Sequence, residues 1–108
     1  LIELHFNSFE CLAKAGKSSP YLYVGPGDYR VTFQVFSGYN SKGAIRLDVA
    51  GPNQYILAER TLYSANGNEV LDVHLDEGTT VEFRAWTLGA EKTSFEKVSI
   101  VRLHPLVD

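Results

Sequence analysis

Three histidines (His5, His74, His104), one cysteine (Cys11) and 13 carboxylates are among the groups in this 108-residue chain with covalent or acid–base chemistry to offer. Their spacing builds none of the arrangements such chemistry requires. A nucleophilic Cys11 needs a histidine beside it in an electropositive pocket, and nothing in the spacing places one there. A small buried hydrophobe is the plainer reading of Cys11. The chain has no glycine-rich phosphate loop, nucleophile elbow, paired metal cysteines or His-x-x-x-His spacing. Pro26 stands in Gly25-Pro26-Gly27 where a phosphate loop would need donor amides. Glycoside hydrolysis takes two carboxylates across a cleft. Asp48 and Glu82 could face each other, but an open sheet in so small a domain would hardly exclude water. The expectation is a protein that is not an enzyme and requires no cofactor. A structural calcium ion stays open, because loop carboxylates can supply its oxygens. No stretch has the dense Asp/Asn/Gly spacing that would place one.

The elements that position these residues alternate with a period of two almost throughout. Tyr29 to Phe36 sets Val31, Phe33 and Val35 against Arg30, Thr32, Gln34 and Phe36. Ala44 to Val49 sets Ile45, Leu47 and Val49 against Arg46 and Asp48. Val70 to Leu75 sets Leu71, Val73 and Leu75 against Asp72 and His74. Val81 to Thr87 sets Val81, Phe83 and Ala85 against Glu82, Arg84 and Trp86. Val98 to Leu103 is more continuously apolar and reads as covered on both faces. Leu1 to Phe6, Tyr21 to Val24 and Tyr55 to Leu62 complete about eight strands.

Turn chemistry separates the strands at Gly25-Pro26-Gly27-Asp28, Gly38-Tyr39-Asn40-Ser41, Gly51-Pro52-Asn53, Ala65-Asn66-Gly67-Asn68, Asp76-Glu77-Gly78 and Leu88-Gly89-Ala90. Phe9 to Lys17 is the one helix candidate, ended by Gly16. This order predicts an all-β fold, an antiparallel two-sheet β-sandwich (jelly roll) with at most one short helix, spanning 1–108 as one domain. The chain starts at Leu1 and contains no Met, so we expect it to be part of a larger or processed protein.

The face opposite the core carries the informative residues: Arg30, Thr32, Gln34, Phe36, Arg46, Asp48, Glu82, Arg84 and Trp86. A merely solvated strand face is built of Thr, Ser, Lys and Glu, whereas this one adds a Trp and a Phe among charged and amide groups. Sugars are bound by that mixture. Aromatic planes stack on the apolar side of a pyranose, while carboxylates, amides and guanidinium groups pair with hydroxyls. The same residues also suit cross-strand ion pairs of no functional meaning. An outward Trp86 costs solubility unless something covers it. Tyr39, beside Asn40 on a Gly-bounded loop, is a candidate binding tip, although an ordinary hairpin loop would look the same. Tyr21, Tyr23, Tyr55 and Tyr63 read as core or sheet-edge residues.

The net charge is −3, with no Lys/Arg cluster. That argues against nucleic acid and against anionic membrane surfaces. No apolar run approaches the length of a membrane-spanning helix, so no membrane insertion is expected.

From Tyr21 to Leu103 the order of features resembles the galactose-binding-like jelly rolls, a group that includes carbohydrate-binding modules attached to polysaccharide-degrading enzymes. The similar segments are Val24 to Phe33, Ala44 to Val49, Asp76 to Arg84, and the closing strand from Phe95 to Ile100. The resemblance implies architecture and leaves the ligand open. Where that family often has an Asp in the closing strand, the nearest residue here is Glu96, so no calcium ligand carries over. Strand alternation alone therefore supplies the candidate ligand-binding set: Trp86, Arg84, Glu82, Gln34, Arg46 and Asp48, with Tyr39 at the rim. The leading expectation is an extracellular or cell-surface, lectin-like module that binds a glycan or polysaccharide. The runner-up is an assembly domain of a phage or surface fibre, a homo-oligomer that buries the same face.

Overall fold

The computed structural model describes residues 2–3, 8–12, 22–37, 45–87 and 93–104. Within them the chain forms nine strands: β1 (Ile2–Glu3), β2 (Ser8–Leu12), β3 (Leu22–Val24), β4 (Gly27–Ser37), β5 (Ile45–Ala50), β6 (Ile56–Leu62), β7 (Ala65–Leu75), β8 (Thr79–Thr87) and β9 (Thr93–Arg102). They make two sheets, ordered β1-β3-β8-β5-β6 and β2-β9-β4-β7. Every ladder is antiparallel except the two-residue β1–β3 pairing. Only β5 and β6 follow one another within a sheet; every other connection crosses to the opposite layer. The architecture is an all-β sandwich.

Alternation explains the core. Tyr29, Val31, Phe33 and Val35 of β4, Ile45, Leu47 and Val49 of β5, Leu71, Val73 and Leu75 of β7, and Val81, Phe83 and Ala85 of β8 are all buried between the sheets. Val98 and Ile100 of β9 join them. Each such side chain contributes about 1.5–3 kcal/mol on leaving water, which is what holds the two layers together.

The turn at Gly25-Pro26 and the end of β9 close one end of this core. Arg102 pairs with Tyr29 across the ladder, and its guanidinium lies 4.9 Å from the Tyr29 ring centroid. Arg102 Nη1 donates to the Pro26 carbonyl at 3.3 Å, and the Tyr29 hydroxyl donates to the Gly25 carbonyl at 2.8 Å. Burial pushes the Tyr29 phenol up, with Arg102 opposing. Gly27 sits at φ 146, and a Cβ there would lie 3.3 Å from Arg102 Nη1. Glycine is the residue that satisfies both the backbone and the close approach.

Residues 9–12 of the expected helix lie in strand β2, paired with β9, and the rest of that segment lies outside the described residues. A short Ala/Lys-rich propensity yields to ladder pairing. Residues 65–68, expected as a turn, extend β7, with Gly67 opposite Val35 and at φ 127. The glycine there serves a positive φ inside a strand, and Tyr63-Ser64 alone makes the crossing. The closing strand is covered on one face only, since Val101 and Leu103 are exposed. Gln34, expected on the face of Trp86, lies in the other sheet. The expected turns at 38–41 and 88–90 fall outside the described residues.

Candidate functional site: a tryptophan held over a buried carboxylate

The outer face of the five-stranded sheet brings four candidate residues into one cluster. In the β5–β8 ladder Arg46 lies opposite Trp86, Asp48 opposite Arg84, and Ala50 opposite Glu82. Asp48 points away from the core, yet it is fully buried. Its neighbours roof it. Arg84 donates to it from Nε at 2.7 Å and from Nη2 at 3.0 Å. The Trp86 indole Nε1 donates to the same carboxylate at 3.0 Å. Arg46 Nε lies 3.7 Å from Asp48 Oδ2 as an ion pair without a hydrogen bond, and this buried nitrogen has no hydrogen-bond partner.

Both guanidinium groups lie 5.2 Å from the Trp86 ring centroid. Such contacts contribute about 0.5–1 kcal/mol each at exposed sites, and the paired Arg84–Asp48 bonds are of the charge-assisted, bidentate kind. The indole is thus fixed by a hydrogen bond and by two cations, while 41% of Trp86 remains exposed. Arg46 is partly exposed beside it. A rigid aromatic next to an accessible guanidinium can stack on an apolar ring face and donate to its hydroxyls, with little ordering cost on binding.

Glu82 lies one row along the same face. Gln34 does not join the cluster. It lies in the other sheet, between Asn68 of β7 and Lys97 of β9, so the hydrophobic core separates it from Trp86. Arg30, Thr32 and Phe36 share that opposite face. The reason is topological: alternation assigns side chains to the two faces of a strand but does not say which sheet the strand enters. Tyr39 lies outside the described residues.

Three exposed tyrosines were not singled out by alternation: Tyr23, Tyr55 and Tyr63. Tyr55 and Tyr63 stand just outside strand ends, where a two-fold pattern assigns no face, whereas Tyr23 alternates outward within β3, opposite Thr80 of β8. Their adjacency to turn residues was the available signal.

The outer face of the four-stranded sheet carries ion pairs. Arg30 grips Asp72 through two bonds of 2.9 and 3.1 Å, which holds the Arg30 guanidinium up and the Asp72 carboxyl down. His74 bridges two carboxylates, with Nδ1 2.6 Å from Asp28 and Nε2 2.8 Å from Asp76. The hydrogen bond to Asp28, then that to Asp76, raises the His74 pKa above its ordinary value. A histidine with a raised folded-state pKa adds stability that is fully present below the unfolded pKa of about 6.5 and is lost as pH rises through the folded value. Asp28→Asn will therefore lower the His74 titration midpoint followed by NMR, and an unchanged midpoint would show that the contact is not made in solution. Among the described residues no group of three or more His, Cys, Asp or Glu is placed to hold a metal ion. No helix among them is long and apolar enough to cross a membrane.

No family model matches this chain, and no curated protein matches it. Among solved structures it is similar to a glycoside hydrolase family 43 arabinoxylan arabinofuranohydrolase from Bacillus subtilis, determined in complex with cellotetraose. The identity is 10% and the TM-score 0.44, over 94% of this chain and 28% of that one. The chain thus spans less than a third of that enzyme's length.

Proposed function

We propose that this domain is a non-catalytic carbohydrate-binding module that holds a larger protein on a polysaccharide at or outside the cell surface. The observation that carries the proposal is Trp86: exposed, yet held by Asp48, Arg84 and Arg46. A lone exposed aromatic is ordinary on a protein surface; what distinguishes this one is that its orientation is fixed. Anchoring it on a buried ion pair is what preorganised stacking requires. Trp86 supplies the stacking plane, Arg46 the adjacent donor, and Glu82 an acceptor farther along the sheet. Asp48 and Arg84 position the indole. Single-site affinity would be modest and would be raised by multivalency along a polymer.

The second reading is an assembly domain, favoured by further exposed apolar residues, Phe36, Val70 and Val101, on the opposite sheet. Sedimentation and retention on insoluble polysaccharides separate the two. A monomer retained by at least one neutral polysaccharide is expected. A stable oligomer retained by none would refute the proposal.

A further inference from the structure

At the other end of β5 and β8 lies a cleft of about 570 Å³, lined chiefly by Pro52, Tyr55, Leu57, Asp76, Glu77 and Thr79. Its volume falls within the range of roughly 300–1,000 Å³ typical of small-molecule sites. One wall is the β5–β6 turn. The Gly51 amide donates to the Tyr55 carbonyl at 2.7 Å, and the Tyr55 amide donates to the Pro52 carbonyl at 3.2 Å. Between them Asn53 and Gln54 both adopt left-handed backbone, at φ 57 and φ 60. Positive φ at both central residues, with the Tyr55 amide closing onto Pro52, is the geometry of a type I′ hairpin turn between β5 and β6. The turn so closed presents Tyr55 with 70% of its surface exposed. The facing wall is the β7–β8 turn, where the bond between His74 and Asp76 fixes the imidazole, with Glu77 and Thr79 beside it.

We infer that this cleft is a second saccharide site, separate from the Trp86 face, that takes one uncharged sugar residue. Tyr55, Pro52 and Leu57 offer the apolar surface for a ring face; Asp76, Glu77 and Thr79 offer hydrogen bonds to hydroxyls, while His74, both of whose ring nitrogens are bonded to Asp28 and Asp76, holds Asp76 in place. Asp76 and Glu77, with Asp28 behind His74, make the cleft acidic, so uronic or sulfated sugars are repelled. Thr79 and Trp86 are seven residues apart along β8, roughly 23 Å at about 3.3 Å per residue. One bound residue cannot touch both sites, but a single polysaccharide chain can. The choice of a sugar as ligand rests on the function proposed above.

The test is amide and indole NMR of the whole domain, titrated with cellotetraose, xylotetraose and mannotetraose, and with tetragalacturonate as the acidic control. The Tyr55, Asp76, Glu77 and Thr79 amides should shift with at least one neutral tetrasaccharide, in the native chain and in Trp86→Ala alike. Tyr55→Ala should weaken that response roughly tenfold, and Tyr55→Phe should retain it. Tyr55 is largely exposed, so neither variant is expected to unfold the domain. If no neutral tetrasaccharide moves these amides, or tetragalacturonate moves them equally, the inference is overturned. Shifts at the Trp86 indole without shifts in the cleft would remove this site alone. Cleft shifts without any at Trp86 would establish the cleft and remove the Trp86 reading.

Discussion

Asp48→Ala should destabilise the domain by about 3–5 kcal/mol, the cost typical of removing one partner from a buried ion pair. Asp48 is fully buried, and Arg84 nearly so. The substitution deletes the acceptor of two Arg84 bonds and of the Trp86 indole bond together. It also removes the countercharge beside Arg46 Nε. For a domain of this size the melting temperature should fall on the order of 15 °C. Replacing both members, Asp48→Leu with Arg84→Met, should recover part of the loss, because the Arg84 charge is no longer stranded, while Arg46 and the Trp86 indole N–H still lose their partner. The two effects should be strongly non-additive, as contacting partners are. Urea unfolding of the three variants measures this. A loss below about 1 kcal/mol for Asp48→Ala, the range of exposed pairs, would show that the carboxylate is solvated and that the roof over it does not form.

Trp86→Ala should abolish most polysaccharide binding and leave the fold in place. Truncation of a central aromatic anchor commonly costs 2 kcal/mol or more, so a loss of roughly thirtyfold is expected. The stability cost should be smaller than that of Asp48→Ala, because Trp86 is part-exposed and its indole N–H is one of several donors to the carboxylate. Arg46→Ala should weaken binding less, since it removes a donor and keeps the stacking plane. Binding to an insoluble polysaccharide that survives Trp86→Ala unchanged would place the ligand elsewhere. Unfolding with Trp86→Ala but not with Asp48→Ala would reverse the roles assigned to the two residues.

The core was legible in the sequence because a half-buried strand displays its inward side chains at every second position. The apolar sets led by Val31, Ile45, Leu71 and Val81 are all buried as the alternation predicts. The cluster at Trp86 was legible for the same reason: Arg46, Asp48, Arg84 and Trp86 share one parity on two strands that pair. Gln34 has that parity too, but β4 enters the other sheet, and parity carries no information about layer. Nor does it reveal that an outward carboxylate can be sealed: Asp48 is buried by the side chains of its neighbours. The Tyr55 cleft was illegible because it is built by two turns, where backbone dihedrals replace periodicity. Asn53 and Gln54 do not announce left-handed conformations as a glycine would. Alternation put Asp72 and His74 on one strand face, but Asp28, a carboxylate on His74, is 46 residues away in sequence.

Trp86 is the chain's one tryptophan, so its fluorescence reports the central site without a label. The decisive measurement is its emission spectrum during titration of the monomeric domain with soluble neutral polysaccharides. A saturable change, unaltered by Tyr55→Ala and diminished by Arg46→Ala, is the predicted result. Emission that ignores every glycan, from a protein sedimenting as an oligomer that Trp86→Ala dissociates, would contradict it and establish the exposed face as an assembly interface.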